Sequence, residues 1–250
     1  MEGPSLFLAA EQLSPFVKQK IKQVEGNTKI GKERLLEKKI LSIFSFGKTL
    51  IFQFDTFALR VHFLLWGSFE ATIDGQNVNG DYKRKNRVPR LMLQLENGLI
   101  IFYACSLKWI EDSQIVKSCD FSIDIMSTQW DEKKCLLQLK KYPESEISDV
   151  LLDQSIFAGV GNIIRNEVLF REKILPFHKI KKLSNKKLKQ IICETRSYVF
   201  QFYQWRKEFV LKKHYEVYRK SCCSQCQEKI TKKKTGQRKR ISFYCLNCQK

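Results

Sequence analysis

The spacing of apolar positions changes along the chain. Leu6, Ala9, Ala10 and Leu13 fall on one helical face, and Pro15 interrupts the run. A second series, Phe16, Val17, Ile21 and Val24, leads up to Gly26 and reads as an ordinary helix packed on a sheet. From about residue 40 the pattern shortens. Residues 40–46, 49–54, 59–65, 90–95 and 99–103 are runs rich in Phe, Ile, Leu and Val, with Gly47, Asp55, Gly67 and Asn97-Gly98 as turn signals between them. These runs predict an antiparallel sandwich. The polar, basic stretch from residue 74 to residue 90 reads as a long loop.

After Trp130 the period becomes helical. One segment carries Cys135, Leu136, Leu137 and Leu139, and another Ile147, Val150, Leu151 and Leu152. A third covers residues 162–173, preceded by Gly159-Val160-Gly161 and followed by Pro176. Ser184 then caps a long helix bearing Leu188, Ile191, Ile192, Val199, Phe200 and Tyr203. Strands followed by helices, without alternation, predict an α+β architecture. The boundaries place a sandwich domain at residues 1–126, a helical domain at 127–215 and a small C-terminal finger at 216–250. No internal repeat is visible, and no apolar run approaches a membrane span.

The finger follows from cysteine spacing. Cys223, Cys226, Cys245 and Cys248 form two Cys-x-x-Cys pairs separated by 18 residues, a pattern in which two tight turns close one tetrahedral thiolate site. One structural zinc ion per chain is the expected occupant. Nine cysteines is an odd number and the N-terminus lacks an apolar secretory signal, which argues against disulfides. Cys222 competes with Cys223, but the two-residue step to Cys226 favours Cys223. Cys105, Cys119, Cys135 and Cys193 lie among apolar neighbours and read as buried thiols.

Charge then names the kind of partner. The 250 residues hold 45 Lys and Arg against 26 Asp and Glu, a formal +19. Residues 205–250 contain 14 basic and 3 acidic residues, so 11 of those charges fall in the last 46 positions. A nucleic acid or another extended polyanion is the expected partner. Within that region a basic run over residues 232–240 precedes a strand-like Ile241-Ser242-Phe243-Tyr244, as in a hairpin tip offered to a polyanion.

Four separated stretches together resemble the formamidopyrimidine-DNA glycosylase and endonuclease VIII family. They are Met1-Glu2-Gly3-Pro4, the turn Phe46-Gly47-Lys48, the segment from Gly159-Val160-Gly161-Asn162 to Leu169-Phe170, and the finger end from Arg240 to Gln249. The resemblance implies a β-sandwich, a helix-two-turns-helix domain and a zinc finger that hold double-stranded DNA containing damaged bases or abasic sites, with the damaged nucleotide flipped out of the stack. It implies an N-terminal amine that attacks C1′, expels the base and forms a Schiff base leading to strand cleavage. An α-amine suits this role, because its pKa of about 7.7–8.0, against about 10.4 for lysine, leaves more of it neutral at pH 7.

Residue by residue, the resemblance makes Glu2 the catalytic acid, with helix capping by its carboxylate as the bland alternative. Lys48 becomes a hairpin cation beside the lesion, against a solvated turn lysine. Asn162 holds a backbone phosphate at a helix start, and Arg240 grips phosphates flanking the flipped nucleotide, with Arg238 and Lys239 as competitors. Leu65 aligns with the residue that fills the void left by the base, and core packing is its rival. The remaining void-filling positions fall on Leu107 and Trp109. His62 reads as structural.

The match departs from the family at its start. Most members begin Met-Pro-Glu-Gly-Pro and use the proline amine; here Met1 occupies that place, and Glu2 is too large for efficient methionine removal, so Met1 is the expected nucleophile, as a primary amine with weak lyase activity. Ser5 replaces a common glutamate. No glycine-rich insertion lies between Phe200 and Cys223, which points to the endonuclease VIII branch and to oxidised pyrimidines or ring-opened lesions. The expectation is a monomeric glycosylase, nuclear in a eukaryote or associated with the nucleoid in a bacterial cytoplasm. The rival readings are a family member that binds damaged DNA without cleaving it and a zinc-ribbon protein that binds RNA.

Overall fold

The computed structural model describes residues 1–80, 87–111 and 119–250. It divides into two compact units, one of Met1 with Ser5–Asp120 and one of Glu2–Pro4 with Phe121–Lys250. The helical segment and the finger therefore belong to a single unit, and the break falls at residue 120.

The first unit is built on helix α1 (Gly3–Leu13) from Ser5 onward and seven antiparallel strands: β1 (Ile21–Glu25), β2 (Ser42–Phe46), β3 (Thr49–Gln53), β4 (Phe57–Ile73), β5 (Gln76–Gly80), β6 (Leu91–Leu95) and β7 (Gly98–Glu111). The order is β1-β6-β7-β4-β3-β2, with β5 on the far half of β4. The long strands β4 and β7 pair over almost their whole lengths, except at a bulge where β4 residues 64–67 stand opposite Ala104 alone. Leu6, Phe16, Phe52, Phe54, Phe57, Phe69, Leu93 and Phe102 meet in one core drawn from both halves of the sheet. Such interiors pack as densely as organic crystals.

Three expectations change. The series Phe16, Val17, Ile21 and Val24 is not a helix: a 3-10 turn at Ser14–Phe16 and a left-handed Lys18 (φ 73°) lead into β1, which pairs with β6. Its β-branched Ile21 and Val24 suit a pleated surface better than a helix. The stretch 74–90 is not all loop, because Asp74 and Gly75 both take positive φ (49° and 77°) and turn the chain into β5. That is the chemistry expected of an Asp-Gly hairpin; residues 81–86 lie outside the described residues. Cys193 is exposed, while Cys105, Cys119 and Cys135 are buried. The buried positions of its helix are 188, 191, 192, 195, 198, 199 and 202, and Cys193 falls off that stripe.

The second unit holds α2 (Glu132–Lys140), α3 (Ile147–Val150), α4 (Asn162–Arg171) and α5 (Asn185–Lys207), followed by the hairpin β8 (Thr231–Thr235) and β9 (Arg240–Tyr244). Asp131 and Ser184 cap α2 and α5 by accepting from Lys134 N and Lys187 N. Each satisfies a donor that a helix start would otherwise leave unpaired. A further small core joins Phe170 of α4 to Val217, Cys223, Ile230, Phe243 and Cys245 of the finger. Among the described residues no helix is long and apolar enough to cross a membrane.

Candidate nucleic-acid interface and metal centre

Helix α4 is the reference point of the second unit. Its N-cap is Gly161, which has no side chain to offer the first free amides. The carboxylate of Glu2 takes that place: Oε1 accepts from Ile163 N at 2.7 Å and Oε2 from Ile164 N at 3.2 Å. A helix N-terminus favours an anion there, through both its free N–H groups and its dipole. Gly3 N donates to Gly159 O at 2.8 Å and fixes the segment alongside. The glycines make this approach possible. A Cβ on Gly161 would lie 2.2–2.4 Å from the Glu2 side chain, one on Gly3 would lie 2.8 Å from Gly159 Cα, and Gly159 itself has φ 104°. Glu2 is buried. The bland alternative, capping, is thus part of its geometry, but the helix it caps is α4 rather than its own.

The polar side chains of α4 hold the finger hairpin. Asn162 Nδ2 and Arg165 Nη2 both donate to Ile241 O, at 3.0 and 2.9 Å, and Arg165 Nη2 also reaches Ser242 Oγ at 2.9 Å. Asn166 Oδ1 accepts from Phe243 N at 2.8 Å, and its Nδ2 donates to Asn162 O at 2.6 Å. Glu167 accepts three backbone N–H bonds at the entry to the finger, from Glu216, Val217 and Tyr218 at 2.8, 3.1 and 2.7 Å.

Burial pushes the Arg165 guanidinium down to about 10; Asp149 opposes the fall, Arg240 deepens it and Glu2 opposes it. Burial likewise raises the Glu167 carboxyl, against its three N–H donors. Arg165 Nε and Nη1 and Asn162 Oδ1 are buried without a hydrogen-bond partner among the described residues. Arg240, the first residue of β9, pairs with Thr235 and is exposed, as are its competitors Arg238 and Lys239.

The four predicted cysteines come together, with all four Sγ atoms within 4.8 Å of one another. Cys223 and Cys248 are 3.7 Å apart, and Cys226 and Cys245 3.5 Å. A disulfide needs about 2.05 Å. Four thiolates at about 2.3 Å from a tetrahedral ion stand about 3.8 Å from each other, so the cluster fits one metal ion. Cys223, not Cys222, supplies the first thiol, and Cys222 is exposed.

Other candidates lie in the first unit. Met1 packs against the sandwich core. Lys48 sits half-buried in the turn after Gly47 (φ 54°), and its carbonyl lies 3.0 Å from His62 Nδ1, which gives that histidine a structural contact. The bulge in β4 throws Leu64, Leu65 and Trp66 outward to 50, 74 and 57 % exposure, so core packing does not describe Leu65. Leu107 and Trp109 are placed differently: both lie within β7, opposite Val61 and Leu59. Leu107 is buried, while Trp109 donates its indole N–H to Ile30 O at 2.7 Å and meets Phe57 edge-on. Side chains so engaged belong to the sandwich wall, which corrects the void-filling expectation for this pair.

Arg165, Asn166 and Glu167 were not singled out from the sequence. Their signal was available: they interrupt Ile163-Ile164 and Val168-Leu169-Phe170 on a short helix, and a polar group amid such burial must find a partner.

A β-sandwich, a glycine-opened helix that receives a residue from the N-terminus, and a four-cysteine hairpin define a class of proteins whose parts are organised around a helix-two-turns-helix core. Residues 122–201 match the formamidopyrimidine-DNA glycosylase H2TH domain. Endonuclease 8-like 3 of Mus musculus is 35 % identical over 209 residues, covering 82 % of this chain and 33 % of the relative. Endonuclease 8-like 2 of Bos taurus is 29 % identical over 198 residues, covering 76 % and 58 %. The chain thus spans about a third of the length of the first of these relatives. The crystal structure of Lactococcus lactis formamidopyrimidine DNA glycosylase bound to DNA with an abasic site superposes over 100 % of both chains, with TM-score 0.84 and 24 % identity. The chain belongs to the formamidopyrimidine-DNA glycosylase and endonuclease VIII family, on its endonuclease VIII side.

Proposed function

We propose that this protein is a DNA glycosylase that removes oxidised bases, pyrimidines or ring-opened lesions, from double-stranded DNA and then opens the abasic strand. The observation that carries the reading is the buried Glu2 carboxylate, fixed by Ile163 N and Ile164 N in the residue next to the N-terminal amine. In this reading the α-amine of Met1 attacks C1′ of a flipped nucleotide, and the glycosidic bond breaks with its electron pair leaving on the base. Glu2 takes a proton from the amine and passes it to O4′ as the C1′–O4′ bond opens, and a protonated imine remains. Loss of a proton from C2′ then expels the 3′ phosphate. Lys48 and Arg240 balance phosphate charge, Asn162 adds a polar contact, and Leu65 enters the space the base vacates. The four cysteines hold one zinc ion that shapes the hairpin and takes no part in bond breaking.

Borohydride trapping on a duplex with an abasic site, followed by peptide mapping, tests the amine: an adduct at Met1 supports the mechanism, and one at Lys48 moves the nucleophile. Glu2→Gln is expected to lower base release about a hundredfold or more, with lesion binding retained. If base release is unchanged, Glu2 is not the acid. Lesion binding without adduct or base release would establish a binding protein instead.

A further inference from the structure

The finger hairpin has a second attachment that the reading above does not use. Its four-residue turn, 236–239, ends immediately before Arg240, and its tip is pressed onto Asp149 at the end of the second unit's short helix α3. Asp149 Oδ2 accepts from Gln237 N at 2.6 Å, and Oδ1 from Arg238 N at 3.4 Å. Gly236 (φ 68°) is the residue that permits this. A Cβ there would stand 2.2–2.3 Å from the Asp149 carboxylate, so the tip and the acid have no room between them. Two further ties flank the carboxylate. Arg238 Nη2 reaches Asp153 Oδ2 at 3.3 Å, and Ser148 Oγ lies 3.4 Å from Thr235 Oγ1, the residue paired with Arg240.

By charge alone this is the wrong residue for its place. Lys232, Lys233, Lys234, Arg238, Lys239 and Arg240 make the hairpin a cationic surface, and an acid inside it weakens attraction for phosphate. A carboxylate set there against the electrostatic preference calls for a geometric reason, and the two tip amides supply one. We infer that Asp149 is a positioning residue for DNA: it fixes the hairpin tip so that the exposed Arg240 is presented in one geometry, at the expense of one unit of favourable charge. The other end of the hairpin is held from α4 at Ile241, Ser242 and Phe243. Arg240 lies between the two anchors. A guanidinium whose backbone is fixed on both sides loses less freedom when it binds phosphate.

This inference rests on the DNA-binding reading, and the two can fail separately because the electrostatic and positional effects of Asp149 have opposite signs. The probe is a labelled duplex carrying a tetrahydrofuran abasic analogue, titrated at several salt concentrations. If Asp149 acted only through charge, Asp149→Ala would bind more tightly and steepen the salt dependence, by up to about one phosphate equivalent. Positioning predicts the reverse: Asp149→Ala weakens binding about tenfold. Asp149→Asn, which loses the charge but keeps an oxygen for Gln237 N, is expected to restore binding to within about threefold of the wild type or better.

Metal content and circular dichroism unchanged from wild type exclude an unfolded finger. In the DNA-free protein, hydrogen exchange of the 236–240 amides should quicken in Asp149→Ala and not in Asp149→Asn. Equal or tighter binding by Asp149→Ala overturns the inference, as does unchanged exchange at the tip. A wild type that binds no DNA, with tip exchange still dependent on Asp149, leaves the clamp in place and overturns the nucleic-acid reading on which its purpose rests.

Discussion

Replacing Gly161 with alanine separates the room this glycine makes from the freedom it gives the backbone. Its φ of −119° and ψ of −167° are extended values that alanine adopts without strain. The obstacle is steric, since the new Cβ would stand 2.2–2.4 Å from Cγ, Cδ and Oε1 of Glu2. The Glu2 side chain must leave, and both of its bonds to Ile163 N and Ile164 N go with it. Bonds to a charged acceptor contribute about 1.5–3 kcal/mol each. Water regains part of that at a helix start, so the expected loss is about 2–3 kcal/mol, or a Tm lower by on the order of 10 °C.

Base release should fall about a hundredfold or more, because the acid is displaced while every other residue of the site remains. The control is the same substitution in a Glu2→Ala background. With no carboxylate to displace, Gly161→Ala should be neutral there, or stabilising by about 0.4–1 kcal/mol through the unfolded chain. Thermal unfolding of the four proteins closes the cycle, with a coupling of about 2 kcal/mol expected. Equal losses in both backgrounds would refute the argument, because the glycine would then be required by something other than Glu2.

Two further outcomes follow from the same unit. Cys226→Ser, or removal of metal by a chelator, should take metal content from about one ion per chain to none and abolish binding to damaged duplex, since metal binding and folding are one equilibrium in such fingers. A metal-free protein with full affinity would contradict this. Glu167→Gln should destabilise by about 1–3 kcal/mol in denaturant unfolding, because one end of the amide would point N–H at Glu216 N–H, which now meets Oε2 at 2.8 Å. The deficit should depend on pH. Burial raises the folded carboxyl above its ordinary value, so the stability linked to its proton is full below the ordinary glutamate range and is lost as pH rises through the folded value. The deficit of Glu167→Gln is therefore largest below the ordinary glutamate range and shrinks as pH rises through the folded value, and a deficit that grows with pH would contradict the assignment.

The sequence carried the helices of the second unit well because their caps and stripes are local: Ser184 and the apolar positions of α5 lie within one element. The four-cysteine cluster was legible for a related reason, since ligand spacing constrains geometry directly. Strands were legible in kind but not in extent. The bulge of β4 includes Leu64, Leu65 and Trp66, three apolar residues that the structure leaves exposed, so hydrophobicity there did not report burial. Trp109 misled in the opposite way, as an aromatic matched by position that the strand register and the Ile30 carbonyl turn into wall. The partners of Glu2 were not legible at all. They lie 161 and 162 residues away, and no local pattern connects an acid at one end of the chain with two free amides in its middle.

The glycines show why that connection is strict even though it cannot be read locally. Gly161 looks like a turn signal, yet it has extended backbone that any residue could adopt; what it lacks is space. Gly3 likewise lacks space, against Gly159. A glycine kept for its missing side chain is specific to what approaches it, and here the approaching group is a carboxylate that fills the helix start. Asn162, one residue on, turns its amide to the hairpin carbonyl beside Arg240. One turn of α4 therefore receives the acid on its free amides and holds the strand that follows Arg240 through its side chains, so the two groups to which the proposed reaction gives proton delivery and phosphate binding share a single support. A displacement of that turn would be felt by both, which is why substitutions within residues 161–166 should couple strongly to Glu2 and to the hairpin rather than add.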